Sequence, residues 1–521
     1  MSHPARLCFL LAALTLAACA HVEAPRDVAL RIVAFNDFHG HLEPPSPAVG
    51  GVAHLAGAIR DLSRGQQHTA VVAAGDLVGA SPLVSSLFHD EPTVELLSAA
   101  GLEASAVGNH EFDRGSAELM RLQSKARYQW LAANVIDKAT GRTLLPPYII
   151  REYGGISVAF VGTVLRSTPQ IVSRKGVEGL EFRDEAASVN ALVPELRAKA
   201  VEAIVLLIHQ GGNTSSPAAA SGCEDFEGPI TRIVRRLHPA VDIVVSGHTH
   251  QAYICRLDGR LVTSAGSFGR LVTTIDVVLD RATRDVSAAT ATNHRVDHAR
   301  FAAEPALEAR VRELASLAAG RSQRVVGYVK GEFTVDPSPA GETSLGSLVA
   351  DAHLAAMRQD GARIAFTNPG GLRAALVPRA DGALSFGDLH TAQPFGNTLV
   401  AMTLTGAQLI RLLESQWRSA GDRTRLLQVA GISYAWDGSR PRGRRVDRES
   451  VRVGNEPLVQ SASYRVVVNS FLADGGDGFT IFTEGIDRTG GPLDVEALER
   501  HIASTHPLAA PAAGRIRRID R

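Results

Sequence analysis

Short apolar runs rich in β-branched residues recur through the first part of the chain, at 29–35, 69–74, 105–108, 156–162, 203–208 and 242–246. Bounded by Gly, Asp, Asn or His, they read as strands buried on both faces. Between them, 51–63, 93–100, 116–125, 184–200 and 227–237 carry apolar residues at three- and four-residue intervals, which predicts amphipathic helices. The alternation predicts an α/β layered domain over 28–300. The runs 261–265 and 271–279 are expected to close it as antiparallel strands. At 302–320 the pattern becomes one alanine-rich helix with Glu and Arg on one side, which places a linker helix at 301–323. A smaller α/β domain is expected over 324–521, with a strand at 325–330 and helices at 345–357 and 406–417. No internal repeat is present.

Composition narrows the reading. Of 521 residues, 45% are hydrophobic and 21% charged, which is the balance of a folded globular chain and not of a disordered one. Basic and acidic residues are equal at 54 each, so no overall field exists to hold a nucleic-acid polymer. An anionic ligand must be held locally, and with 49 Arg against 5 Lys only position distinguishes one Arg from another.

The N-terminus reads as a targeting segment. Arg6 precedes an apolar stretch at 7–16, shorter than the roughly 18 to 20 residues that span a bilayer. It ends in Leu16-Ala17-Ala18-Cys19, which resembles a bacterial lipobox; cleavage after residue 18 leaves a lipid on Cys19, whereas a plain signal would be cut near Ala20. Either way export is expected, to the periplasm or to the outer membrane of a bacterium, with membrane contact only through that lipid. Cys8 leaves with the leader and Cys19 is the lipid site. The remaining pair, Cys223 and Cys255, is expected to form a disulfide worth roughly 3 to 4 kcal/mol.

Polar clusters follow the predicted strands: Asp37-Phe38-His39-Gly40-His41, Gly75-Asp76, Gly108-Asn109-His110-Glu111-Phe112-Asp113, His209-Gln210-Gly211-Gly212 and Gly247-His248-Thr249-His250. Ligand sites of open α/β sheets form beyond the carboxyl ends of the strands, so the clusters are expected to converge. Imidazoles and carboxylates in this number suit a dinuclear site for divalent metal ions, with Zn, Mn, Co or Fe as candidates. A single such cluster would be a turn; five in order, each behind a strand, are a site.

The ordered set resembles the calcineurin-like metallophosphoesterases with a C-terminal nucleotidase domain, the 5′-nucleotidase family. The resemblance implies a four-layer α/β/β/α first domain. It also implies a first metal on Asp37, His39 and His250, a second on Asn109, His209 and His248, and Asp76 bridging. His110 and Asp113 match the family's catalytic dyad; an N-cap on the helix at 116–125 is the other reading of Asp113. Two such cations activate water for in-line attack at phosphorus, and His110 would serve the transition state or the leaving oxygen. His41 lies outside the ligand pattern.

The second half carries Thr367-Asn368-Pro369-Gly370-Gly371-Leu372-Arg373, Gln393-Pro394-Phe395-Gly396-Asn397, and 469–479 with Gly475-Gly476-Asp477-Gly478. Phe395 and Phe471 are either core residues or an aromatic sandwich for a planar base. The resemblance implies the sandwich, with Asp477 on ribose hydroxyls, Asn368 on the base side and Arg373 on phosphate. Some relatives carry a further Arg where this chain reads Ala340-Gly341-Glu342-Thr343-Ser344, so one phosphate anchor is expected to be missing. The expected activity is hydrolysis of nucleotide 5′-phosphate esters. The alternatives are a 2′,3′-cyclic-nucleotide phosphodiesterase with 3′-nucleotidase activity, a UDP-sugar or nucleoside-polyphosphate hydrolase, and a non-enzymatic surface lipoprotein that binds nucleosides or a partner. The helix at 302–320 is the expected hinge between domains.

Overall fold

The computed structural model describes residues 27–172, 174–215, 223–417, 426–504 and 507–520. The predicted leader and Cys19 lie outside the described residues. Among the described residues, no helix is long and apolar enough to cross a membrane.

The first domain is built on two six-stranded sheets packed face to face. One contains Val28–Phe35, Thr69–Ala74 and Ala104–Ala106 in parallel, with Leu271–Leu279 antiparallel to the first of these. The other contains Ile156–Val164, Ala203–His209 and Ile243–Ser246 in parallel. The continuous apolar runs follow from this stacking. In Ala203–His209, Ala203, Val205 and Leu207 enter the core between the sheets, while Ile204, Leu206 and Ile208 pack under the helices outside. Both faces are buried, so side chains alternate in direction but not in polarity.

Helices Val52–Ser63, Glu91–Ala99 and Ser116–Gln123 cover the first sheet, and Glu185–Ala198 and Pro229–Val234 cover the second. The result is the four-layer α/β/β/α order. Asp184 caps its helix by accepting from the Ala187 N–H at 2.9 Å. One expectation is corrected: Arg260–Ala265 pairs in parallel with Ile243–Ser246 and antiparallel only with Ala252–Leu257. The apolar content of a central strand is the same in either direction.

The helix Pro305–Ser322 packs with the first domain. Leu307, Val311, Leu314 and Ala318 form one buried stripe in that domain's helix-side core, at about 1.5 to 3 kcal/mol for each large side chain. Beyond it lies the second, mixed α/β domain. Its five-stranded sheet contains Ile364–Thr367, Thr398–Thr405 and Ser463–Asn469, flanked by Ser344–Ala356, Gly406–Glu414 and Asp494–Ser504. Ser385 with Asp388 and Thr405 with Gln408 form capping boxes on two of its helices. The domains meet where Leu83 enters a second-domain apolar cluster and Ser86 Oγ lies 2.8 Å from His390 Nε2. Cys223 and Cys255 form a disulfide with their Cα atoms 5.4 Å apart, tying a loop to the strand Ala252–Leu257.

Candidate active site

The clusters converge between the carboxyl ends of the two sheets: three follow strands of the first, and two belong to the second. A single parallel sheet is therefore not what gathers them. Asp37, His39 and His250 form one group able to hold a metal ion, and Asp76, His209 and His248 form another. Asp76 Oδ2 lies 3.0 Å from His209 Nε2 and 3.6 Å from His39 Nε2, which sets this carboxylate between the two groups. His250 Nε2 is 3.3 Å from Asp37 Oδ1 and 3.2 Å from His39 Nε2. His39 Nδ1 faces the Gly79 carbonyl at 2.9 Å and His209 Nδ1 the Ala74 carbonyl at 2.7 Å. Each therefore donates from Nδ1 and turns the Nε2 lone pair into the site, as metal-binding imidazoles do.

The donor set fits two divalent cations. Asn109 Oδ1 is buried without a hydrogen-bond partner among the described residues, an arrangement that a polar interior rarely tolerates unless something else is bound. Asp37 and Asp76 are fully buried carboxylates. Burial alone would raise Asp37, but the His250 and His209 imidazoles together outweigh it and lower its pKa; for Asp76 the opposing groups are led by His209. Burial opposes a charge on His209, yet Asp76 pushes it up to about 9, so metal binding there displaces a proton. Asp37, His39, Asp76, His248 and His250 all have φ between 48 and 74°. Such left-handed backbone is disfavoured for side-chain-bearing residues and clusters where a site fixes it.

His110 Nδ1 lies 2.7 Å from Asp113 Oδ2, and the His110 N–H donates to Asp76 Oδ1 at 2.9 Å. The N-cap of Ser116–Gln123 is Gly115, with no side-chain cap, so Asp113 does not serve that helix. Burial disfavours charge on His110, but Asp113 and then Asp76 raise its pKa above the ordinary value.

From the second domain, Arg373 reaches the same crevice. Its charge acts on His39 and His110 and is balanced by Asp76, Asp113 and Asp37, and its guanidinium makes no ion pair with a carboxylate among the described residues. Phe395 stacks on His110, ring centroids 5.5 Å apart at 18°, with Arg373 5.9 Å from its ring. Phe471 packs against its own domain's core, and the described residues show no direct ring contact between Phe395 and Phe471. Asn368 Nδ2 donates to Asp477 Oδ2 at 2.9 Å, and Asn469 Nδ2 donates to Asn368 Oδ1 at 3.0 Å. The segment with no arginine turns inward: Thr343 caps Ser344–Ala356, and Glu342 accepts from Ser347 Oγ and the Gly514 N–H.

Two contributors escape a reading of the sequence. Glu111, buried within the third cluster, accepts the N–H groups of Asp76 at 3.0 Å, Leu77 at 2.8 Å and Gly108 at 2.6 Å, and so joins two ligand loops. Phe268 lies 4.1 Å from His41, 5.2 Å from His250 and 5.8 Å from His39 between ring centroids, walling one side of the site. Glu111 was visible as an acid three residues after Gly108; Phe268 gave no signal.

The fold and this cluster define a two-domain metallophosphoesterase. The family model described as calcineurin-like phosphoesterase matches residues 30–252, and that of the 5′-nucleotidase C-terminal domain matches 325–484. A solved 5′-nucleotidase precursor of Thermus thermophilus superposes with a TM-score of 0.82 at 30% identity, covering 94% of this chain and 99% of that one. The 5′-nucleotidase of Bos taurus is 27% identical over 95% of this chain and 91% of its own length. Endonuclease YhcR of Bacillus subtilis is 30% identical over 95% of this chain, which spans 41% of the length of that relative. The chain belongs to the 5′-nucleotidase family, whose members are phosphoesterase hydrolases.

Proposed function

We propose that this chain is an exported, metal-dependent 5′-nucleotidase that hydrolyses nucleotide phosphate esters to nucleoside and phosphate. The observation that carries the reading is the meeting of two domains at one crevice: metal-type ligands from the first, and from the second the guanidinium of Arg373, which has no ion pair among the described residues. A cation cluster faced by an Arg without an acid partner suits a phosphate.

Asp37, His39 and His250 would hold one divalent cation, Asn109, His209 and His248 the other, with Asp76 shared. Bound there, the two ions would neutralise the phosphate oxygens and activate water. His110, oriented by Asp113 through Nδ1, presents Nε2 to the leaving oxygen and moves the proton the ester oxygen needs. Arg373 orients the phosphoryl group, Asn368 and Asp477 form the nucleoside side of the cleft, and Phe395 and Phe471 line it for a planar base. The leader at 1–18, with Cys19 as a lipid site, carries the export part of the reading, as does the disulfide of Cys223 and Cys255, a bond suited to an oxidising compartment.

The test is phosphate release by the purified mature chain, stripped with chelator and resupplied with manganese, zinc or cobalt. Substrates are AMP, GMP, UMP, UDP-glucose, ATP, 3′-AMP and 2′,3′-cyclic AMP, with His110→Ala alongside. Metal-dependent release, strongest on 5′-monophosphates or their anhydrides and lost in the variant, is the expected result. Silence on every substrate with metals bound would overturn it.

A further inference from the structure

Outside the groups already assigned, Arg270 of the first domain stands close to the metal-type cluster, and no carboxylate among the described residues neutralises it. Arg270 is exposed, and its Nε and Nη2 donate to the carbonyl and hydroxyl of Ser267 at 3.2 and 2.9 Å. Those bonds hold the guanidinium in place, and Nη1 has no hydrogen-bond partner among the described residues. No carboxylate lies within ion-pair distance of it among the described residues. Its Cζ is 5.2 Å from the centroid of Phe268, the ring that walls His39, His41 and His250. Phe268 is fixed by its own backbone: its φ is 62°, and its N–H donates to the Asp37 carbonyl at 2.7 Å. The charges of Arg270, from the first domain, and of Arg373, from the second, both act on His41.

We propose that Arg270 contacts the substrate and holds a second phosphate, so that the chain favours phosphoanhydrides, namely nucleoside di- and triphosphates and nucleotide sugars, over monophosphates. Two positive groups next to a site that already binds one phosphoryl give a second anionic group its own counter-charge, which a monophosphate leaves unused. A guanidinium held at two atoms presents a fixed fork, the geometry that recognises phosphate oxygens. Hydrolysis at the terminal phosphorus then forms one P–O bond to water and breaks the bond to the bridging oxygen. The proton released by water balances the charge on that oxygen; a nucleoside di- or triphosphate gives phosphate and a nucleotide one phosphate shorter, and a nucleotide sugar, cleaved at the same anhydride, gives a nucleoside monophosphate and a sugar phosphate.

The inference rests on the nucleotidase reading, so two readouts separate them. With the full mature chain loaded with manganese, kcat/KM is measured for ADP and AMP in the wild type, Arg270→Ala and Arg270→Lys. The ADP-to-AMP ratio is expected to fall about tenfold in Arg270→Ala, through KM, and to recover in part in Arg270→Lys. Isothermal titration of inorganic pyrophosphate and orthophosphate into the same proteins reads the subsite without turnover. The wild type is expected to bind pyrophosphate at least tenfold more tightly than orthophosphate, and Arg270→Ala to lose that preference. A wild type that turns over AMP, with a ratio unmoved by Arg270→Ala, overturns the subsite and leaves the nucleotidase reading standing. Absence of turnover with an intact, Arg270-dependent pyrophosphate preference overturns the activity and keeps the subsite. Equal affinity for the two anions in the wild type overturns the subsite outright.

Discussion

Removal of the Glu111 carboxylate is the sharpest test of how the metal-type cluster is held. In Glu111→Ala, three backbone N–H groups, those of Asp76, Leu77 and Gly108, lose their acceptor. An unsatisfied buried donor costs about 1 to 3 kcal/mol, so the ceiling is about 9 kcal/mol; water entering the space relieves part, and about 3 to 5 kcal/mol is expected. That is a large share of the roughly 5 to 15 kcal/mol that keeps a domain folded. Glu111→Gln has the same shape but turns an N–H₂ toward N–H groups, and about 2 to 3 kcal/mol is expected. The assay is urea unfolding of the chelated protein by Trp130 fluorescence, in a background carrying Trp417→Phe and Trp436→Phe so that only the first domain reports. Manganese affinity, measured by titration, should fall about 10- to 100-fold in Glu111→Gln, because the Asp76 loop loses its brace. A Glu111→Ala midpoint within about 0.5 kcal/mol of the parent, at unchanged denaturant slope, would refute the reasoning.

Other expectations follow from the same geometry. His110→Ala should lower kcat by about 10² to 10⁴, and Asp113→Asn by a smaller factor with metal content unchanged, checked by steady-state kinetics beside elemental analysis. Replacing Cys223 and Cys255 together by Ser should cost roughly 3 to 4 kcal/mol, read as a lower unfolding midpoint that reductant also produces in the parent. Burial pushes the Asp494 carboxyl from its ordinary 3.8 up to about 7, against the hydrogen bonds from the Val495 N–H and Asn397. Its folded-state pKa is raised, so the native protein keeps a proton the unfolded chain has lost, and stability falls as pH rises from about 4 to 7. Asp494→Asn should flatten that slope and stabilise the protein at pH 7.5 by up to about 4 kcal/mol; a variant whose pH–stability curve parallels the parent's would count against it.

Most of the first domain could be read from the sequence because buried strands and amphipathic helices differ in period and are separated by Gly-rich polar clusters. The order and content of those clusters also pointed to the His and Asp groups, able to hold a metal ion, that the structure brings together. What sequence left hidden depends on direction and distance. The run at 261–265 is equally apolar whether its neighbour runs with it or against it, so its parallel pairing with Ile243–Ser246 had no local mark. The stripe at Leu307, Val311, Leu314 and Ala318 looks the same on a free linker as on a docked helix. Glu111 sits among potential ligands, and only the fold shows that it faces three amides. Phe395 could be recognised as a ring on a Gly-flanked loop, but its stacking on His110 requires knowing how the two domains face one another.

Five of the seven residues expected to ligate metal have left-handed backbone, at about 1 to 2 kcal/mol each for a residue bearing a side chain, less for Asp. The fold therefore works against its own chemistry, and a glycine at 39 or 248 would sit there with less strain than the histidine it replaced. Selection for heat tolerance alone would erode this site first. In a lineage where activity was no longer needed, ligand loss would be among the earliest changes to spread. Hydrogen bonds such as those from the His39 N–H to the Asp76 carbonyl and from the His248 N–H to the Asp37 carboxylate offset part of that strain, and a metal bound to these side chains would offset more.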